Sequence, residues 1–207
     1  MIVHECRLSC FRNVGASAVG FSDGVNILIG DNGQGKTNLL EALYLCSIGK
    51  SFRGADEGEM IKFGESEARV AVEYSDAVRR QSIEIRMSRE LRRQVEHNRV
   101  KVGRMSDMVG CLSAVLFCPE HLSVVKNGPA ERRSYLDVAI SQLRPMYMAS
   151  LQKYSKILKQ RNKLIRDAEA DRRTFDATID FWSAQLAAEA ARISRMRLSY
   201  IRRAREL

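Results

Sequence analysis

The chain has 207 residues, and its 34 lysines and arginines exceed its 25 aspartates and glutamates to give a net charge of +9. An apolar fraction of 45% excludes a disordered protein, and the apolar runs are shorter than the roughly 20 residues that span a bilayer. The amino terminus lacks the basic and apolar stretches of a secretory signal. The five cysteines show no C-x-x-C pair, which favours free thiols. We therefore expect a cytoplasmic protein without membrane segments.

The net charge and the amino-acid composition change along the chain. Residues 1–130 hold 17 basic and 16 acidic side chains together with all 13 glycines, whereas residues 131–207 hold 17 basic and 9 acidic ones. Alanine, leucine, arginine, lysine and glutamine dominate the second part, and this composition favours helix. We predict an α/β lobe over residues 1–118 and a helical lobe over residues 119–207.

Short apolar or β-branched runs predict strands in the first lobe, with His97-Asn98 turning a hairpin inside the fifth of them. A helix is expected over Asn38–Leu45, and three more follow in the second lobe. The predicted strands are Ile2–Leu8, Val25–Ile29, Ala68–Tyr74, Ser82–Met87, Gln94–Val102 and Cys111–Phe117. The predicted helices of the second lobe are Arg133–Leu143, Met146–Ala168 and Thr174–Arg205.

One segment carries chemistry. After the apolar run Val25–Ile29, the residues match the phosphate-loop pattern G-x-x-x-x-G-K-[ST], and a helical stretch follows. The predicted nucleotide-binding residues are Gly30, Asp31, Asn32, Gly33, Gln34, Gly35, Lys36 and Thr37.

These residue types suit a nucleoside triphosphate. Glycines let successive backbone N–H groups point into one concavity, and the start of a helix adds its free donors and its dipole. Lys36 would place a positive charge on the β- and γ-phosphates, and the Thr37 hydroxyl would bind the Mg²⁺ that bridges them. The sequence therefore predicts ATP and Mg²⁺ as ligands.

Other classes of phosphate-loop protein are less consistent with the sequence. The only Asn-Lys pair, Asn162-Lys163, continues with Leu164-Ile165 instead of the N-K-x-D pattern of a GTPase. A compact phosphotransferase, such as a small-molecule kinase, stays open as an alternative, with the arginine-rich stretch Arg79–Arg104 as its lid. The same stretch could equally be the solvated face of a hairpin.

The segment Thr37–Ala42 (Thr-Asn-Leu-Leu-Glu-Ala) after the phosphate loop resembles the heads of the SMC and RecF group of ABC-type ATPases. Further stretches are similar to the RecF family within that group, and together they cover essentially the whole chain. They are Leu8–Asn13, Gly49–Arg53, Leu116–Leu122, Val125–Pro129, Arg132–Asp137 (R-R-x-[FY]-L-D) and Leu158–Asn162 (L-K-Q-R-N).

The resemblance implies a phosphate-loop head in two lobes, the second one helical. Members of the RecF family act in DNA replication, repair and the SOS response. They load onto DNA at gaps and at junctions of single- and double-stranded DNA, and they dimerise around two ATP molecules. With other recombination mediators they help to load the RecA recombinase.

One departure from the family concerns catalysis. Members run to roughly twice this length, and their L-S-x-G-Q-type loop and Walker B aspartate lie in the second half. The nearest substitute is Val115–Glu120, where Pro119 precedes the acidic residue. The chain is therefore expected to be an amino-terminal portion that binds ATP without efficient hydrolysis and has no catalytic residue of its own.

Basic residues of the helical region and along Arg79–Arg104 supply candidate DNA contacts, because sequence-independent binding requires lysine and arginine on one face. Next to the nucleotide loop, Arg12, Lys50 and Arg53 could couple ATP to DNA, or their neighbours Phe11 and Phe52 could simply pack in the core. On the second predicted helix of the helical lobe, the candidates are Lys153, Lys156 and Lys159.

Overall fold

The computed structural model describes residues 1–126 and 128–206, and for Met105, Glu120, Leu122, Ser123 and Val125 it describes only the backbone. Asn127 and the side chains of Glu120, Leu122 and Val125, which belong to the family-like stretches, thus lie outside the described residues. The chain divides into two compact units, Met1–Cys118 and Pro119–Leu207.

The first unit is built on a six-stranded sheet in the order β2-β1-β3-β4-β5-β6, in which all neighbours are antiparallel. Alternation decides which face is buried: in β3, Ala68, Val70, Val72 and Tyr74 enter the core while the residues between them point outward. The strands are β1 Ile2–Phe11, β2 Val14–Gly20, β3 Glu67–Ser75, β4 Arg80–Ser88, β5 Gln94–His97 and β6 Val100–Lys101.

Helix α1, Lys36–Ile48, covers the buried face of this sheet, and a short helix α2 follows at Glu57–Met60. Leu39, Ala42 and Leu45 of α1 join the strand residues in one hydrophobic core. Burial of these side chains fixes the first turn of α1, and with it the segment that precedes the helix.

Two predicted strands are wrong. Val25–Ile29 and Cys111–Phe117 form no strand in the structure, apart from an isolated bridge between Val109 and Leu112. The apolar side chains Val25, Ile27 and Ile29 are 88%, 77% and 90% exposed, and Val115 and Phe117 are also exposed. A strand requires a continuous hydrogen-bonded neighbour, and neither segment pairs with a neighbouring strand among the residues described.

Two smaller differences concern β2 and the last hairpin. Strand β2 was not predicted, because Gly15, Ala16, Ala18 and Gly20 carry little β-propensity; pairing with β1 makes it a strand. The hairpin between β5 and β6 turns at Asn98-Arg99, one residue later than predicted.

The second unit is helical. Its core contains Ile140, Tyr147 and Ile193, which come from three different helices. Beside this core, Arg197 donates to Asp137 at 2.7 Å and to the Tyr147 hydroxyl at 2.8 Å. The helices are α3 Ser123–Lys126, α4 Pro129–Leu143, α5 Pro145–Arg166 and α6 Arg172–Ala204. Over the described residues, no helix is long and apolar enough to cross a membrane.

Candidate nucleotide-binding site

The phosphate-loop segment turns sharply between Gly30 and helix α1. Gly30, Gly33 and Gly35 all have positive φ, of 149°, 83° and 89°, a region that glycine adopts without the penalty of a side chain. Gly35 is also close-packed, because a Cβ atom there would come within 3.0 Å of the Val14 side chain. The backbone conformation therefore explains why glycine occupies these three positions.

Helix α1 begins directly after Gly35 without any side-chain cap. Among the described residues no side-chain hydrogen bond caps the N–H groups of this end, and the first turn has no acidic residue. These donors and the positive end of the helix dipole are thus available to an anion. A phosphate group fits this helix end by charge and by hydrogen bonding.

Lys36 and Thr37 occupy the first two positions of α1. The half-buried Lys36 extends back over the loop, and its Nζ donates to the carbonyl oxygens of Gly30 and Asp31 at 2.5 and 2.7 Å. Thr37 is exposed, as are residues 30–34. The predicted residues of the loop therefore form one accessible cluster.

Asn13 attaches the loop to the sheet. It lies in the two-residue turn between β1 and β2, and its Nδ2 donates to the Gly33 carbonyl at 2.5 Å. Its Oδ1 accepts from the Asn38 side chain of α1 at 2.6 Å. One side chain thus connects the phosphate loop to the helix that follows it.

Glu41 lies one turn further along α1 and is fully buried. Arg12 binds both of its carboxylate oxygens, at 2.9 and 2.6 Å, and Ser51 donates to one of them at 2.5 Å. Arg53 reaches Glu41 at 3.5 Å and Asn38 at 3.1 Å. Burial alone would raise the pKa of Glu41, but the bonds from Arg12 and Ser51 and the charges of Arg12 and Arg53 outweigh it and lower that pKa.

The structure separates the predicted coupling residues by environment. Arg12 and Arg53 belong to the Glu41 network, whereas Lys50 is exposed. Phe11 is buried in the core and Phe52 packs edge-on against Tyr44, with ring centroids 5.7 Å apart. Both aromatic residues are therefore explained by packing.

The predicted lysines of the helical unit lie on α5. Lys153 forms an ion pair with the buried Glu189 at 2.8 Å, so its charge is compensated. Lys156 and Lys159 are exposed.

The stretch Arg79–Arg104, considered as a lid, is instead part of the main sheet. It forms β4, β5 and β6 with their turns. Within the described part of the chain, no group of three or more histidine, cysteine, aspartate or glutamate side chains could hold a metal ion.

Sequence reasoning missed Asn13, Asn38 and Ser51 and did not assign a partner to Glu41. A signal was present: Asn38 and Glu41 share the face of α1 that carries Ala42 and Leu45. Polar groups on a buried helix face need hydrogen-bond partners, and the basic and polar residues of nearby turns are the available ones.

A family profile described as AAA domain matches residues 6–109, half of the chain. The chain belongs to the AAA-domain family. A DNA replication and repair protein RecF from Ruminiclostridium cellulolyticum is 42% identical over 201 residues, which cover 97% of this chain and 54% of that protein. The resemblance to the RecF family is thereby confirmed.

Solved structures give the same result for the fold of this AAA-domain chain. The recombination mediator protein RecF with ATP, of the RecFOR pathway, is 33% identical with a TM-score of 0.92, over 97% of this chain and 54% of that one. An Smc head domain from Pyrococcus furiosus, 18% identical over 94% of this chain and 58% of that one, has a TM-score of 0.52 and shows the fold alone. The predicted phosphate-loop head of the ABC and SMC type is confirmed, and the chain spans about half the length of the RecF proteins it matches.

Proposed function

We propose that this chain is the nucleotide-binding part of a RecF-type DNA replication and repair protein. The observation that carries the proposal is the uncapped start of α1, joined to a positive-φ glycine loop and to Lys36. Similarity to the RecF proteins supports ATP as the nucleotide.

Each residue of the loop has a role in this proposal. The N–H groups from Gly30 to Thr37 bind the phosphates, and Lys36 exchanges the Gly30 and Asp31 carbonyls for phosphate oxygens. Thr37 supplies a hydroxyl oxygen, the kind of ligand that Mg²⁺ prefers, and Mg²⁺ would neutralise phosphate charge. The absence of a carboxylate from the first turn of α1 is consistent with a polyanion there.

The same proposal accounts for the exposed apolar segments. The exposed side chains Val25, Ile27 and Ile29 stand at every second position, as in a strand. Val115 and Phe117, close to the end of the first unit in sequence, are also exposed. We propose that the remainder of a full-length RecF-type protein pairs with these segments and supplies the Walker B carboxylate and the L-S-x-G-Q-type loop. An ATP-dependent homodimer would then form in the full-length protein.

DNA, single- or double-stranded and without sequence preference, is the proposed macromolecular ligand. Arg12 and Arg53 link the nucleotide helix to the surface, and Lys50, Lys156 and Lys159 are exposed cations. Work with other recombination mediators to load RecA belongs to the same proposal, as does a cytoplasmic location, which the five free cysteines suit.

The test measures DNA binding by the full-length protein with and without ATP. We expect ATP to tighten binding to gapped DNA, and Lys36→Ala to abolish both ATP binding and this effect. Lys163→Ala, an exposed lysine of α5, is the matched control. Transfer of phosphate to a small acceptor, with no effect of ATP on DNA binding, would establish the phosphotransferase alternative instead.

A further inference from the structure

The outward face of the six-stranded sheet carries many arginines, most of which are neutralised by glutamates. Along its centre, arginine and glutamate side chains pair within strands, as Arg86 and Glu84 do at 2.6 Å, and across neighbouring strands, as Arg69 and Glu84 do at 2.5 Å. Such pairs leave little net field for a charged ligand. The paired residues are Arg7, Arg69, Arg86, Glu5, Glu73, Glu84 and Glu96.

Three arginines at one end of this face, unlike those at its centre, are not paired with glutamates in the described part of the chain. Arg79 and Arg80 follow the turn between β3 and β4, and Arg99 lies in the turn between β5 and β6. All three are exposed, and none forms an ion pair within the described ranges. They line one groove of about 580 Å³, which continues along the face past the ion-paired glutamates Glu73, Glu84 and Glu96. Asp76, the carboxylate of the first turn, accepts the backbone N–H groups of Arg79 and Val78, and these bonds together with the nearby Arg79 charge lower its pKa.

The two turns are fixed side by side. The Asn98 backbone N–H donates to the Ser82 carbonyl at 2.8 Å, and the Ser82 N–H donates to Asn98 Oδ1 at 2.9 Å. Ser82 is two residues from Arg80 on β4, so Arg99 is held at the same end of the sheet as the other pair. The arginines therefore sit on a rigid scaffold.

Backbone conformation makes Arg99 unusual. Asn98 and Arg99 both have positive φ, 52° and 64°, in a two-residue hairpin turn. Asn-Gly is the preferred pair in such a turn, because glycine alone adopts this region without a steric penalty. Folding would favour glycine at position 99, so the turn itself gives no reason for an arginine.

We propose that Arg79, Arg80 and Arg99 form a surface that binds the phosphates of DNA. The inference rests on the proposed function and adds the place where DNA is contacted. Guanidinium groups donate in pairs to phosphate oxygens, and a rigid row of them needs no base-reading residue. The surface is made by backbone turns, so it is present before DNA binds.

Arg99→Gly provides a decisive experiment, because it removes the charge and relieves the turn. In the full-length protein with ATP, we expect an unchanged or higher Tm together with a roughly three- to tenfold weaker affinity for gapped DNA. The slope of log affinity against log salt should fall by about one, and by about two in the double variant Arg79→Ser, Arg80→Ser. Affinity for ATP should be unchanged in both.

Arg86→Ser is the matched control, since it makes the same charge change at an ion-paired position of the same face. It should leave the salt slope unchanged. If Arg99→Gly and the double variant both keep the wild-type affinity for DNA and the wild-type salt slope, this DNA-binding surface is wrong. The proposed function would still stand in that case. Absence of DNA binding in the unaltered protein overturns the proposed function and the surface together.

Discussion

The side-chain Nδ2 of Asn13 donates a hydrogen bond to the carbonyl oxygen of Gly33, 2.5 Å away, across 20 residues of sequence. The bond joins the turn between β1 and β2 to the middle of the phosphate loop. It leaves the loop N–H groups free, because the shared atom is a carbonyl. Asn13 therefore restrains the loop without occupying the donors that an anion requires.

Replacement of Asn13 by alanine should weaken ATP binding more than it weakens the fold. The substitution removes the hydrogen bond to Gly33 and the one from Asn38. Loss of the bond to Gly33, worth about 1 kcal/mol, corresponds to roughly fivefold in affinity, because the loop must then be ordered on binding. Calorimetric titration with ATP measures this change. Asn26→Ala is the control, because Asn26 donates to Ser22 outside the phosphate loop; an equal loss in both variants would contradict the role of Asn13.

Alanine at Gly35 should be more harmful than alanine at Gly54. Both glycines have positive φ, 89° and 73°, so each substitution costs about 1 kcal/mol or slightly more in backbone strain. Only at position 35 would the new Cβ also approach Val14 at 3.0 Å, whereas nothing lies within 4 Å at position 54. Thermal unfolding should show the larger decrease in Tm for Gly35→Ala, and equal decreases would argue against close packing of the loop.

The buried carboxylate of Glu41 makes stability depend on pH. Its pKa in the folded state lies below the ordinary value of 4.5, so its ionised form stabilises the fold above that pH. This stabilisation is lost as the pH falls below 4.5 through the lower folded-state pKa. Glu41→Gln should therefore reduce the slope of unfolding free energy against pH in the acid range.

At neutral pH, Glu41→Gln should also lower the free energy of unfolding by about 3 kcal/mol, because Arg12 loses its buried counter-charge. Glu73→Gln is the matched control: Glu73 pairs with Arg7 at an exposed position, where such pairs contribute little. Chemical denaturation between pH 3 and pH 7 measures the free energy of unfolding of both variants. Similar pH dependence in the two variants would show that the buried Arg12–Glu41 pair contributes no more to stability than the exposed pair.

Local spacing explains what the sequence could predict. The phosphate loop and α1 follow from residues within one short segment, and strands β1, β3 and β4 follow from alternation within each run. The contact of Arg12 with Glu41 joins residues 29 positions apart, and no local pattern contains it. Val25–Ile29 shows the opposite case, because its composition favours a strand but pairing decides whether one forms.

In the helical unit, Tyr147→Phe should lower the free energy of unfolding by about 1–2 kcal/mol. The Tyr147 hydroxyl accepts from Arg197 at 2.8 Å and donates to Asp137, and both partners are partly buried. Tyr135→Phe removes an exposed hydroxyl of α4 and should be neutral. Urea unfolding measures the difference, and a neutral Tyr147→Phe would show that Asp137 and Arg197 suffice by themselves.

The reach of Lys36 back to Gly30 and Asp31 has a consequence for nucleotide exchange. Its ammonium group fills the concavity with positive charge and holds the rim of the loop in the curved shape that phosphate requires. When a triphosphate binds, Lys36 would exchange its hydrogen bonds to the two carbonyl oxygens for hydrogen bonds to phosphate oxygens. The number of hydrogen bonds made by the lysine would then change little. The site therefore selects ligands by their charge. A neutral molecule would have to displace the same two carbonyl oxygens from Lys36 without providing an anionic group for the ammonium to bind.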